Sequence, residues 1–259
     1  MMTRAAGCEL YYEVSGQGPP VMFVHGFPLS GRMWQPIVER ISGAYRCIVP
    51  DLRGHGRSSA TPTADMARYA DDLAAVLDAD GERRPVVLVG LSMGGYIAFE
   101  FFRRHRLRVS ALVLTDTRAG TDTQEARTKR EETAQAVERG GSRVVADAMV
   151  DKLFAPGAAA SLRSEWHKIM SHTQPMGVAA ALRAMAARSD STPTLTTIDC
   201  PVLIVVGEHD TITPPDVHRE MHAAITGSRL EIIAGAGHMT PVEQPDAFAE
   251  VLTGFLTGL

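Results

Sequence analysis

Residues 86–102 read VVLVGLSMGGYIAFEFF, an apolar run that passes through Gly-Leu-Ser-Met-Gly-Gly and straight into a helical pattern. The run itself is a candidate buried strand, and the residues after Ser92 are a candidate helix. Between them, Gly90 and Gly94 flank Ser92 in a G-x-S-x-G spacing. Small residues at both positions let the backbone bend sharply and leave the serine side chain standing above the end of the strand. A plain tight turn would use the same glycines. A serine hydroxyl alone is a poor nucleophile, so the turn becomes a chemical feature only if the chain also supplies a base and an acid to orient it.

On either side of this stretch the same alternation continues. Short β-rich runs occur at 9–14, 21–25, 46–50, 86–90, 111–116, 201–207 and 229–234, with helical patterns at 34–41, 66–79, 93–105, 215–225 and 245–257. The middle runs are continuously apolar, as parallel strands covered on both faces must be. Together they predict an α/β fold with a doubly wound, mostly parallel sheet. The first run carries polar positions and lies close to the second, which predicts antiparallel strands at the start of the sheet. Pro245 suits only a first helical position, and Phe248, Val251, Leu252 and Phe255 then form one apolar stripe expected to dock on the sheet.

From about Arg118 to Thr196 the strand-like runs vanish and helical patterns follow one another, broken at Gly140, Gly141, Pro156 and Pro175. This is too long for a loop. The expectation is a helical lid at 118–196 inserted into a core made of 1–117 and 197–259. The plainer alternative, helices that only cover a sheet face, stays open here.

Bulk properties exclude several classes. A chain of 259 residues with 45% hydrophobic and 22% charged residues can bury a sizeable core. Its formal net charge of -4, with no basic cluster, offers no footprint for a phosphate backbone, so no nucleic-acid partner is expected. No apolar leader opens the sequence and no run approaches the ~18 apolar residues of a membrane span, which points to a cytoplasmic protein without membrane attachment. Cys8, Cys47 and Cys200 are widely spaced and form no C-x-x-C. They read as small buried hydrophobes, not as a disulfide or metal framework.

The base and the acid are present. PVLIVVGEHDTITP places Asp210 just beyond one apolar strand, and EIIAGAGHMTPVEQP places His238, between glycines, beyond the next. Open α/β sheets put their sites beyond the carboxyl ends of strands. With the order Ser92, Asp210, His238 and the upstream stretch FVHGFPLSGRMW at 23–34, the chain resembles the α/β-hydrolases over nearly its whole length. That resemblance implies a Ser92–His238–Asp210 triad and an oxyanion hole from the backbone N–H groups of Phe27 and Met93. Pro28 has no N–H to give. Asp116, at the end of ALVLTD, stands where some members of the family carry the acid, and Asp210 is the expected one. His25 is expected to brace the oxyanion loop, and Asp51 with LRGHGRS a structural turn.

A serine nucleophile disfavours the relatives that attack with aspartate and leaves acyl transfer. The expected function is a serine carboxylesterase acting on small to medium acyl groups through an acyl-enzyme. Lactonases for acyl-homoserine lactones or enol-lactones, and cofactor-free perhydrolases, share these motifs, and a non-catalytic ligand-binding protein is the alternative outside the class. No phosphate-binding glycine fingerprint and no metal-ligand spacing is present, so neither cofactor nor metal is expected; the partner is a small-molecule ester or lactone. Candidate pocket residues are Trp34 beside the oxyanion loop and, from the lid, Met149, Leu153, Phe154, Trp166, Met176 and Met185, although methionines and aromatics at helical spacing more often fill a core.

Overall fold

The computed structural model describes residues 1–259. In chain order its elements are β1 (Met2–Ala5), β2 (Cys8–Ser15), β3 (Pro20–Val24), α1 (Gln35–Ile41), β4 (Arg46–Pro50), α2 (Met66–Asp80), β5 (Val86–Leu91), α3 (Met93–Arg104) and β6 (Val109–Thr115). Five helices follow without a strand: α4 (Gln124–Gly140), α5 (Arg143–Leu153), α6 (Ala160–Ser171), α7 (Pro175–Ala187) and α8 (Thr192–Leu195). The chain then returns through β7 (Val202–Gly207), α9 (Pro215–Ala224), β8 (Arg229–Ile233), α10 (Thr240–Glu243) and α11 (Pro245–Leu256). No helix is long and apolar enough to cross a membrane.

The strands make one sheet in the order β1-β2-β4-β3-β5-β6-β7-β8, parallel from β4 to β8, with β2 antiparallel to β4 and β1 antiparallel to β2. Alternation along the buried strands divides the core in two. Met22, Val24, Leu88 and Leu112 point to the face carrying α2 and α3, whereas Val21, Phe23, Val87 and Val113 point to the face carrying α1 and α11. Both faces need cover, which is why the central runs are apolar throughout. Phe248 and Leu252 of α11 are fully buried against the second face, and Pro245 occupies the first turn of that helix.

The strand β1 lies outside the seven runs read from the sequence. MTRA has no apolar alternation, and its strand exists by pairing with β2 across a turn in which Ala6 and Gly7 both have positive φ, 45° and 77°. Such a turn matches the natural twist of a hairpin. The connections run one way from β3 to β4 and the other way from β5 to β6, so the carboxyl ends of β3 and β5 border a crevice.

Two seams join the helices after β6 to the rest of the chain. Gly177 of α7 lies on Gly54: a Cβ on Gly54 would sit 2.4 Å from the Cα of Gly177, and one on Gly177 would sit 2.1 Å from the carbonyl oxygen of Gly54. The α5–α6 connection meets Gly237, where a Cβ would fall 2.5 Å from the N of Ala155. Glu243 fastens this second seam, one carboxylate oxygen accepting from the N–H of Gly237 and the other from that of Ala155.

Candidate active site

Ser92 joins β5 to α3 in a conformation that side-chain-bearing residues seldom adopt, φ 54° and ψ -113°. Its backbone is held on several sides. The N–H donates to the carbonyl of Thr115, and its own carbonyl accepts from the N–H groups of Gly95 and Tyr96 and from the Thr117 hydroxyl at 2.8 Å. The flanking glycines are required by contact: a Cβ on Gly90 would meet the Gly94 carbonyl oxygen at 2.4 Å, and one on Gly94 the Val24 carbonyl oxygen at 2.3 Å. Strain of this kind persists only where the surroundings over-determine it, and it concentrates at functional sites.

The loop after β3 runs alongside. A Cβ on Gly26 would stand 3.3 Å from the Cβ of Ser92 and 2.9 Å from the Leu91 side chain, so the loop runs too close to the serine turn for a side chain at position 26. Neither the Phe27 nor the Met93 N–H finds an acceptor within the protein. For Met93 this follows from its place in the first turn of α3, whose N–H groups have no intrahelical partner. His25 braces the loop: its Nδ1 donates to the Gly26 carbonyl and its Nε2 accepts from the Leu52 N–H. His55 packs against it at a ring separation of 5.4 Å and against the edge of Phe27 at 6.3 Å.

Beyond β7, Asp210 faces His238 from the loop beyond β8. The His238 Nδ1 donates to Asp210 Oδ2 at 2.8 Å, and the Thr213 hydroxyl donates to the same oxygen at 2.7 Å. The N–H groups of Ile212 and Thr213 donate to Oδ1. Burial opposes the charge on Asp210, yet the imidazole and these hydrogen bonds outweigh it and hold the carboxyl below its ordinary range. The side chain of His238 hydrogen-bonds only Asp210 and Thr213, both through Nδ1, so its Nε2 has no partner, and the Ser92 hydroxyl makes no hydrogen bond within the protein.

Asp116 occupies a different position. It is fully buried, has φ 45°, and its Oδ1 accepts from the Gly207 N–H and the Thr240 hydroxyl, with no bond to His238. Burial, reinforced by the charge of Asp210, pushes its carboxyl well above the ordinary range. It ties the end of β6 to β7 and to the segment after His238.

The pocket expectations need correction at two positions. Trp34 has no accessible surface: it ends a short 3-10 turn that rotates it inward, between Phe23 and Phe248. Leu153 is likewise fully enclosed, in the same core cluster. Both fill the core and offer no face to a substrate. Phe154, Trp166 and Met185 are also buried, Met149 is partly accessible at the boundary of both core clusters, and Met176 is half exposed. A polar cleft of about 730 Å³, lined in part by Glu13, Arg32, Asp51 and Arg57, contains neither Ser92 nor His238. No cluster of His, Cys, Asp and Glu could hold a metal ion.

Sequence reasoning passed over Thr213, Glu243 and His218. Thr213 was legible in principle, since an Asp followed three residues later by Thr is a local capping pattern. His218, fully buried, accepts from the Thr117 N–H across 101 residues, which no local signal announces. Burial lowers His218 to about 4, and burial with the neighbouring His25 lowers His55 to about 3. An unfolded chain holds each near ~6.5, so on acidification the unfolded state takes up protons first and stability falls from about pH 6.5 downward. Each of these histidines should remove about 2 kcal/mol by pH 5. Thermal unfolding between pH 7 and 5 checks this: the midpoint should drop, and drop less in His55→Gln.

Residues 19–245 match the family described as alpha/beta hydrolase fold. Among curated proteins, the pimeloyl-[acyl-carrier protein] methyl ester esterase of Chromobacterium violaceum is 29% identical, over 96% of this chain and 98% of that protein. The 3-oxoadipate enol-lactonase 1 of Acinetobacter baylyi is 26% identical, over 100% of this chain and 97% of that one. Among solved structures, a thermophilic esterase from Thermogutta terrifontis superposes with a TM-score of 0.96 at 39% identity, over 99% of this chain and 96% of that chain.

Proposed function

The chain belongs to the α/β-hydrolase fold family, and from that premise we propose that it is a serine-dependent carboxylic-ester hydrolase with Ser92 as nucleophile, His238 as base and Asp210 as the orienting acid. The observation that carries this reading is the 2.8 Å bond from His238 Nδ1 to Asp210. It fixes the proton on Nδ1 and leaves the Nε2 lone pair to accept the serine proton. Substrate binding closes the Ser92–His238 contact, as catalytic hydrogen bonds tighten in the Michaelis complex.

Ser92 then attacks the ester carbonyl, His238 takes its proton, and the free N–H groups of Phe27 and Met93 receive the oxyanion. Such a donor is worth roughly 3–4 kcal/mol of barrier in a serine protease. His238 returns the proton to the departing alcohol, activates water, and the acid is released. Helices α4–α8 serve as the lid, with Met149 and Met176 as the lid candidates that keep accessible surface. The kinship with an esterase and an enol-lactonase supports acyl chemistry on a small molecule without choosing the acyl group.

A fluorophosphonate probe should label the native chain on Ser92, read from the mass of the modified peptide; an unlabelled chain overturns the proposal. p-Nitrophenyl esters of increasing chain length are then set against γ-lactones. Turnover of lactones alone would replace esterase by lactonase.

A further inference from the structure

Every buried or partly buried arginine holds an ion pair, except Arg118 and Arg127. A guanidinium withdrawn from water loses hydration that only hydrogen bonds or an anion can replace. The Nε of each of these two is buried and finds no acceptor. Arg127 belongs to α4, whereas Arg118 belongs to the turn that builds the site.

Its neighbours place it there. Thr117, the preceding residue, donates its hydroxyl hydrogen to the carbonyl of Ser92, and Asp116 before that holds Thr240, two residues after His238. Tyr96, whose N–H reaches the same Ser92 carbonyl, lies beside the guanidinium, and Asp210 and Asp122 are near enough to act on its charge. Neither carboxylate is free for it. Asp210 is taken by His238 and Thr213, while Asp122 already serves both Arg130 and Arg188, the second at 2.9 Å. Arg188 also lies over the Tyr96 ring at 4.3 Å. Asp122 thus already carries two guanidiniums, and Arg118, the residue after the Thr117 that holds the Ser92 carbonyl, is left without a carboxylate of its own.

We propose that Arg118 binds a carboxylate carried by the substrate, so that the preferred substrates are esters or lactones with a free carboxylate away from the scissile bond, such as half-esters of short dicarboxylic acids. The proposal rests on Ser92 being the acyl-transfer nucleophile. Arg118 is partly exposed, so an anion can reach it, and a planar guanidinium fork suits a carboxylate. Two oxygens would replace the hydration that the protein removes.

The test compares kcat/KM for monomethyl and dimethyl glutarate. The native chain should prefer the half-ester by roughly 10- to 100-fold, the range of a charge-assisted hydrogen bond. In Arg118→Gln the ratio between the two esters should collapse towards one, whatever happens to the rate they share. Arg118→Lys should keep the preference at a reduced ratio, because a single ammonium replaces the fork. A native chain that hydrolyses both esters equally overturns the inference while leaving the serine-hydrolase reading intact, and so does an unchanged ratio in either variant. A chain that hydrolyses neither ester and resists the fluorophosphonate probe defeats the underlying reading instead.

Discussion

Ser92→Ala is expected to lower kcat by roughly a million-fold, the scale seen when the nucleophile of a serine triad is removed. The fold should not notice. The side chain of Ser92 makes no hydrogen bond, whereas its N–H and carbonyl, which hold the turn, are unaffected by the substitution. Alanine at φ 54° carries the same backbone strain as serine. Thermal unfolding should therefore stay near that of the native chain while ester turnover falls to the background rate. Residual activity above one part in a thousand would mean that another group attacks the acyl carbon.

Asp210→Asn is expected to cost roughly four orders of magnitude in kcat, as loss of the orienting acid does through the wrong imidazole tautomer. The surrounding donors dictate how. Because the N–H groups of Ile212 and Thr213 both point at Oδ1, the amide oxygen of asparagine must take that position. Its NH₂ is then turned towards His238, whose Nδ1 becomes an acceptor and whose Nε2 carries the proton. An imidazole in that form cannot act as base. Asp116→Asn should cost no more than about tenfold, because an amide reproduces the neutral, hydrogen-bonded carboxyl that burial favours there. Steady-state kinetics of the two variants side by side check the assignment. The reverse ranking would move the acid to Asp116.

What could be read from sequence follows the range of the forces involved. The apolar runs, the glycines around Ser92 and the proline at the start of α11 act through neighbours a few residues away, so their pattern is written locally. Strand β1 is different: MTRA becomes a strand only because Met2–Ala5 finds Cys8–Tyr11 as a pairing partner. The short helices α8 and α10 are too brief to show a period. Trp34 follows the His-Gly-Phe-Pro loop closely in sequence, yet one 3-10 turn suffices to bury it in the core. His218 and Glu243 act on segments 101 and 88 residues away, and such contacts leave no trace in a single chain. Arg118 could be seen only by the absence of its partner, which needs coordinates.

The glycine seams at 54–177 and at 237 set how this molecule can drift over generations. Where a side chain meets a side chain, one partner can rotate or shrink to absorb a mutation in the other. Along these seams main chain lies on main chain, and the smallest possible change, a single methyl, has nowhere to go. Change is therefore confined to the side chains between the seams, while the main-chain contacts that join the helices to the sheet stay put.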